Sequence, residues 1–243
     1  RNGAYSMDFK GAEAVKVMNN TTFRKKAKGN PRVFGYVEVV FNVLYLFLAL
    51  ACGFHILANA SVQAQRLAGA MAFLLAAGDM FHLVPRIALV MTGDQERLRK
   101  ALGLGKLITS VTMTVFYMLL WHIGILLFSP SGRDWSAAIY ILGLLRIALC
   151  LLKYNRWYDE APPVNWAVYR NLPFLLLGAA AAVLYGSHMH SLPALKWMWL
   201  AVTLSFAFYV PVVLWANKNR KLGMLMLPKT CMYLWILFMF ASI

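Results

Sequence analysis

The stretch AQRLAGAMAFLLAAGDMFHLVPRIALVM, residues 64–91, decides the fold. Apart from Gln65, Arg66, Asp79, His82 and Arg86 it is apolar or small throughout. It exceeds the roughly 20 residues that a helix needs to cross a bilayer. A helix apolar on every side has no face to offer water, but in lipid it needs none, because its backbone polar groups are satisfied within the segment. Similar runs lie at 34–58, 104–128, 135–153, 165–186, 194–216 and 223–242. Each is long enough to span with some tilt. Between them stand loop signals: Asn59-Ala60-Ser61, Ser129-Pro130-Ser131-Gly132, Pro162-Pro163, and Gly186-Ser187 with Pro193. The expected fold is therefore an all-α polytopic membrane protein, a bundle of about seven transmembrane helices over residues 32–243. A basic segment, 1–31, precedes it and lacks the apolar core of a secretory signal. Met7 reads as the native start, with Arg1–Ser6 as an added remnant.

Composition agrees. The chain of 243 residues is 61% hydrophobic and 14% charged, where soluble domains run nearer half and about a quarter. Its mean hydropathy is +0.61. A formal charge of +15 would suggest nucleic acid in a soluble protein. Here the cations cluster between apolar runs, as the positive-inside rule produces, so no nucleic-acid partner is expected. Arg24, Lys25, Lys26, Lys28 and Arg32 precede the first run; Arg97, Arg99 and Lys100 fill the second loop. Lys153 and Arg156 lie in the fourth loop, and Lys218, Arg220 and Lys221 in the sixth. The alternate loops hold almost none, Arg133 being the main exception. This pattern predicts a cytoplasmic N-terminus, Ile243 outside, and a multi-pass place in a plasma membrane, the bacterial inner membrane. Cys52, Cys150 and Cys231 sit inside apolar runs without metal or disulfide spacing.

Ionisable groups at membrane depth cost about 3 kcal/mol each on insertion scales, so each is a site candidate. Asp79 falls near the middle of its run, with His82 and Arg86 at i+3 and i+7 on one stripe. Pro85 should bend this helix and free a carbonyl near residue 81, and Gly78 should let a neighbouring helix come close. Glu38, Asn42 and Tyr45 form a second stripe, and Ser110, Thr114 and Tyr117 a third. Arg146, Arg170 with Asn171, Lys229 and Tyr233 count to the same half of the membrane. Together they predict a cytoplasm-facing cavity with excess positive charge, suited to an anionic or zwitterionic headgroup. Single cations among them can equally snorkel to the headgroups as anchors. Trp135, Trp157, Trp166, Trp197 and Trp199 read as interface belts.

The segment Leu74-Leu75-Ala76-Ala77-Gly78-Asp79-Met80-Phe81-His82-Leu83-Val84-Pro85-Arg86 resembles one in the YhhN-like lysoplasmalogenase family, with Gly-Asp at mid-helix and a proline following. Gly103 to Tyr117, and Lys218-Asn219-Arg220-Lys221 with the last helix, are similar in spacing. The resemblance implies an intramembrane hydrolase that cuts the vinyl-ether bond of lysolipids with two aspartates, one matching Asp79. The family's second acid would fall near Ser205-Phe206, where this chain has no carboxylate, and the family usually has eight helices. Either Glu38 or His82 then supplies the second group, or the fold is kept and the chemistry lost. Vinyl-ether hydrolysis needs a proton delivered to carbon and a water activated at the adjacent carbon. In this reading Asp79, His82 and Glu38 are catalytic, while Arg86, Arg146, Arg170, Lys229, Tyr117 and Tyr233 hold the lysolipid and its phosphate.

The competing reading is a non-enzymatic carrier or receptor for a small anion or lipid headgroup. A third takes Lys229 as a Schiff-base lysine of an inverted seven-helix photoreceptor, for which it lies close to the cytoplasmic end. No cofactor or metal is called for: His188-Met189-His190 has no further ligands, and Gly-x-Ser-x-Gly and HExxH motifs are absent. Membrane lipid is the expected partner, and a homodimer is compatible with the sequence.

Overall fold

The computed structural model describes residues 31–130, 135–159, 162–215 and 220–243. The chain divides into two compact units, Arg1–Glu38 and Val39–Ile243. Of the first, the described part is the opening of helix α1; the expected basic segment 1–31 lies almost wholly outside the described residues.

Seven α-helices occur among the described residues: α1 Pro31–Ala58, α2 Gln63–Thr92, α3 Gln95–Phe128, α4 Ser136–Leu151, α5 Val164–Ser187, α6 Met198–Trp215 and α7 Met226–Ala241. Six apolar helical stretches are long enough to cross a bilayer, the last including the 3-10 turn before α7. This is compatible with a multi-pass membrane protein. The seventh, α4, is shorter than the expected 135–153. Its 16 residues span about 24 Å at 1.5 Å per residue, less than the roughly 30 Å of hydrocarbon. It stops where Leu152 turns extended, and a 3-10 turn, Lys153–Asn155, follows.

The opposite departure occurs in α3. The apolar run begins near residue 104, but the helix starts nine residues earlier, capped by Asp94, whose side chain accepts the Arg97 N–H at 3.0 Å. Its 34 residues reach about 51 Å, so polar turns carrying Arg97, Arg99 and Lys100 extend the span.

Side-chain burial runs contrary to that of a water-soluble bundle. Large apolar groups face outward, Phe47 at 67% exposure, Ile141 at 66% and Val183 at 70%, while Asn42, Thr114, Arg146, Asn155, Asn171, Ser205 and Lys229 are buried. In water this arrangement forfeits hydrophobic free energy; against lipid it is the favourable one.

Helices α2 and α3 pack closely against each other. A Cβ on Gly78 would lie 2.1 Å from Thr112 Oγ1, and one on Gly105 would lie 2.2 Å from the Phe81 carbonyl oxygen. Pro85 has no N–H to give the Phe81 carbonyl, its i−4 acceptor. That freed carbonyl is the one that lies against Gly105. Thr109 Oγ1 donates to the Gly78 carbonyl at 2.9 Å and pins the crossing.

Candidate functional site

Small residues on α2 and α3 bring two polar stripes together, and the other helices of the second unit add to them. Asp79, 17 residues into α2, is partly buried and accepts a 2.6 Å hydrogen bond from the Tyr45 hydroxyl on α1. Tyr45 is 1% exposed. A bond this short to an acid is of the charge-assisted kind. On the other side, the ammonium of Lys229 acts on Asp79 electrostatically. Lys229 lies in the first turn of α7 and is buried; its Nζ is 4.6 Å from the Tyr209 ring centroid and 5.1 Å from that of Tyr233. Two aromatic faces thus carry part of the solvation that water would give the ammonium.

Beyond Lys229 lies Arg146, the largest fully buried side chain, at 1% exposure. Its Nη1 donates to the Ser110 carbonyl at 2.7 Å and to the Thr114 hydroxyl. The guanidinium carbon stands 3.6 Å from the centroid of Phe174. Its Nε is buried without a hydrogen-bond partner. Among the described residues no carboxylate comes within ion-pair distance of Arg146 or Lys229. Arg170 continues the row: its Nη1 donates to Asn155 Oδ1 at 2.8 Å, and its guanidinium covers the Trp157 ring at 4.2 Å.

Aromatic rings pack around these cations. Tyr117 is edge-on to Phe174 at 5.1 Å and 5.2 Å from Phe206, and Phe116 meets Tyr233 at 5.7 Å. Tyr117 Oη and Ser205 Oγ are 3.0 Å apart, and Tyr209 donates to Asn171 Oδ1 at 2.8 Å. Phe206 lies so close to Gly178 that a Cβ there would overlap its ring. Ser205 and Phe206 thus present a hydroxyl engaged by Tyr117 and an aromatic ring.

Of the predicted site residues, Asp79, Lys229, Arg146, Arg170, Tyr117 and Tyr233 come together on α2 to α7. His82 is partly buried with an unpartnered Nδ1, under the charges of Arg86, Lys106 and Lys229. Arg86, one turn on from His82, is exposed. Glu38 is partly buried on α1, in the first unit. Trp157 and Trp166 are more than belt residues: Trp157 Nε1 donates to the Cys150 carbonyl at 2.9 Å, and Trp166 stacks on Tyr154 at 5.0 Å. His188 stacks on Phe128 at 4.8 Å beside the end of α5.

Tyr209, Asn155 and Lys106 were not expected in the site. Lys106 continues the stripe of Ser110, Thr114 and Tyr117 by one turn, a signal the sequence did carry. Asn155 gave none, since it lies outside any periodic segment. Comparison of the chain with protein-family models, with curated proteins and with solved structures finds no match.

Proposed function

We propose that this chain is an intramembrane binding protein for a small anion or the phosphate-bearing headgroup of a lipid, held by Arg146 and Lys229 beside Asp79. The observation that carries the reading is Arg146: a guanidinium wholly inside the bundle, without a carboxylate partner among the described residues and with one N–H unused. Burying such a charge costs several kcal/mol, a penalty that an arriving anion would offset. Lys229 is buried beside it, its ammonium over the Tyr209 and Tyr233 rings and within electrostatic reach of Asp79.

Hydrolysis of a vinyl-ether lysolipid, the activity of the family that the Gly78-Asp79 segment resembles, is the second reading, favoured by the Tyr45–Asp79 contact. Asp79 would deliver the proton to carbon, and His82, with its free ring nitrogen one turn away, would position the water. The N-terminus lies in the cytoplasm in both readings, and the membrane is the bacterial plasma membrane.

The test uses the purified protein with a lysolipid bearing glycerophosphate and, separately, a monoacylglycerol of the same chain. The phosphate lipid should raise the melting temperature, the neutral one should not, and Lys229→Gln should remove the difference. Equal stabilisation by both lipids would overturn the anion reading. Release of aldehyde from a vinyl-ether lysolipid by the unmutated protein, abolished in Asp79→Asn, would establish hydrolysis.

A further inference from the structure

The segment linking α4 to α5 folds back over the first turns of α3. Gly103 permits the approach, since a Cβ there would stand 2.7 Å from both the Trp157 carbonyl oxygen and Tyr158 Cδ1. From the other side the segment is fixed by the fully buried Asn155, whose Nδ2 donates to the Leu149, Cys150 and Leu152 carbonyls at 2.7, 3.1 and 2.9 Å. Between helix and segment lies a cavity of about 750 Å³ lined by Arg99, Lys100, Leu104, Arg156, Tyr158 and Asp159, among others.

Three cations face one acid in it, and that acid is already engaged: Asp159 Oδ2 lies 2.6 Å from Arg156 Nε. Arg99 and Lys100 remain for a ligand, both on the polar extension of α3. Depth in the membrane follows from the neighbours. Leu151, at 64% exposure, and Leu152 precede the segment as outward apolar groups, as acyl chains require. The stacked Tyr154 and Trp166 are of the type that gathers at headgroup level. Leu104, also exposed, forms an apolar wall beside the cations.

We infer that this cavity binds the headgroup of an anionic phospholipid, its phosphodiester between Arg99 and Lys100 and its acyl chain descending past Leu104. A zwitterionic lipid offers the same phosphate but adds an ammonium that the three cations oppose. A soluble phosphate ester gains nothing from Leu104. The site is separate from the interior cations and does not depend on the function proposed for them.

The experiment is retention of lipid by the full chain, purified in non-ionic detergent and observed by native mass spectrometry. Dioleoyl phosphatidylglycerol should be retained over dioleoyl phosphatidylcholine, and Arg99→Gln with Lys100→Gln should lower its retention about thirtyfold, the expected effect of two interfacial cations. Both side chains are exposed, so the double variant should keep the melting temperature. Lys196→Gln, an exposed cation elsewhere, should change nothing. Equal retention of the two lipids would overturn the inference, as would unchanged retention in the double variant. Displacement of phosphatidylglycerol by millimolar inorganic phosphate would overturn it in favour of a soluble anion.

Discussion

Gly105→Ala places a methyl group 2.2 Å from the Phe81 carbonyl oxygen, where an ordinary carbon–oxygen contact is about 3.3 Å. The neighbour is backbone and cannot rotate away, so α2 and α3 must part by about 1 Å. Overpacking of this kind costs about 1–3 kcal/mol. Parting the helices also stretches the 2.9 Å Thr109–Gly78 hydrogen bond, worth about 1 kcal/mol. Alanine returns about 1 kcal/mol of helix propensity, leaving a net loss of about 1–3 kcal/mol. For a chain of this length that corresponds to roughly 2–12 °C in melting temperature, read by thermal unfolding in detergent. Gly186→Ala is the control, because its methyl group would meet Trp199 at an ordinary 3.5 Å, and it should melt no lower than the parent. A Gly105→Ala protein melting at or above the parent would refute the close crossing.

Tyr45→Phe keeps the buried ring but removes the hydroxyl 2.6 Å from Asp79; a loss of about 1.5–3 kcal/mol is expected, as for a bond to a charged group. In the Asp79→Asn background the same change should cost less, and equal costs in a double-mutant cycle would separate the two residues. Asn155→Ala removes three carbonyl contacts and the acceptor of Arg170, so thermal unfolding should show at least about 2 kcal/mol of destabilisation; a shift within error would mean that α4 ends without its help. For topology, cysteines introduced at the exposed Asn59 and Asp94, in a Cys231→Ser background, should label from opposite faces of intact cells. Labelling of both by one impermeant reagent added outside would remove the orientation proposed from the basic loops.

All seven helices were legible in the sequence because runs of apolar residues are a one-dimensional signal. Their ends were less so. The start of α3 is polar, and a polar helical extension looks like a loop to any reading based on hydropathy. The end of α4 is set by Asn155, which acts through carbonyls that a sequence does not display. In the site, spacing alone put Asp79, Tyr117, Arg146, Lys229 and Tyr233 at comparable depth, and the structure brings them together. The pairings were out of reach, since Tyr45 finds Asp79 across 34 positions and Tyr117 finds Ser205 across 88. The rings of Phe174 and Phe206 that pack against Arg146 and Tyr117 are apolar residues whose inward direction no polar stripe announces.

The bond from Arg146 to Ser110 and Thr114 bears on how the chain is made. Helix α4 is short, and its arginine is a charge that the lipid interior rejects. Its partners both lie on α3, which leaves the ribosome first. The translocon therefore meets α4 when the groups that satisfy its guanidinium are already at hand. The two helices would enter the bilayer as a hairpin. Presented alone to the insertion machinery, α4 should stay out; behind α3 it should go in, and Thr114→Val should lower that efficiency, a difference that glycosylation tags on either side of the segment would record.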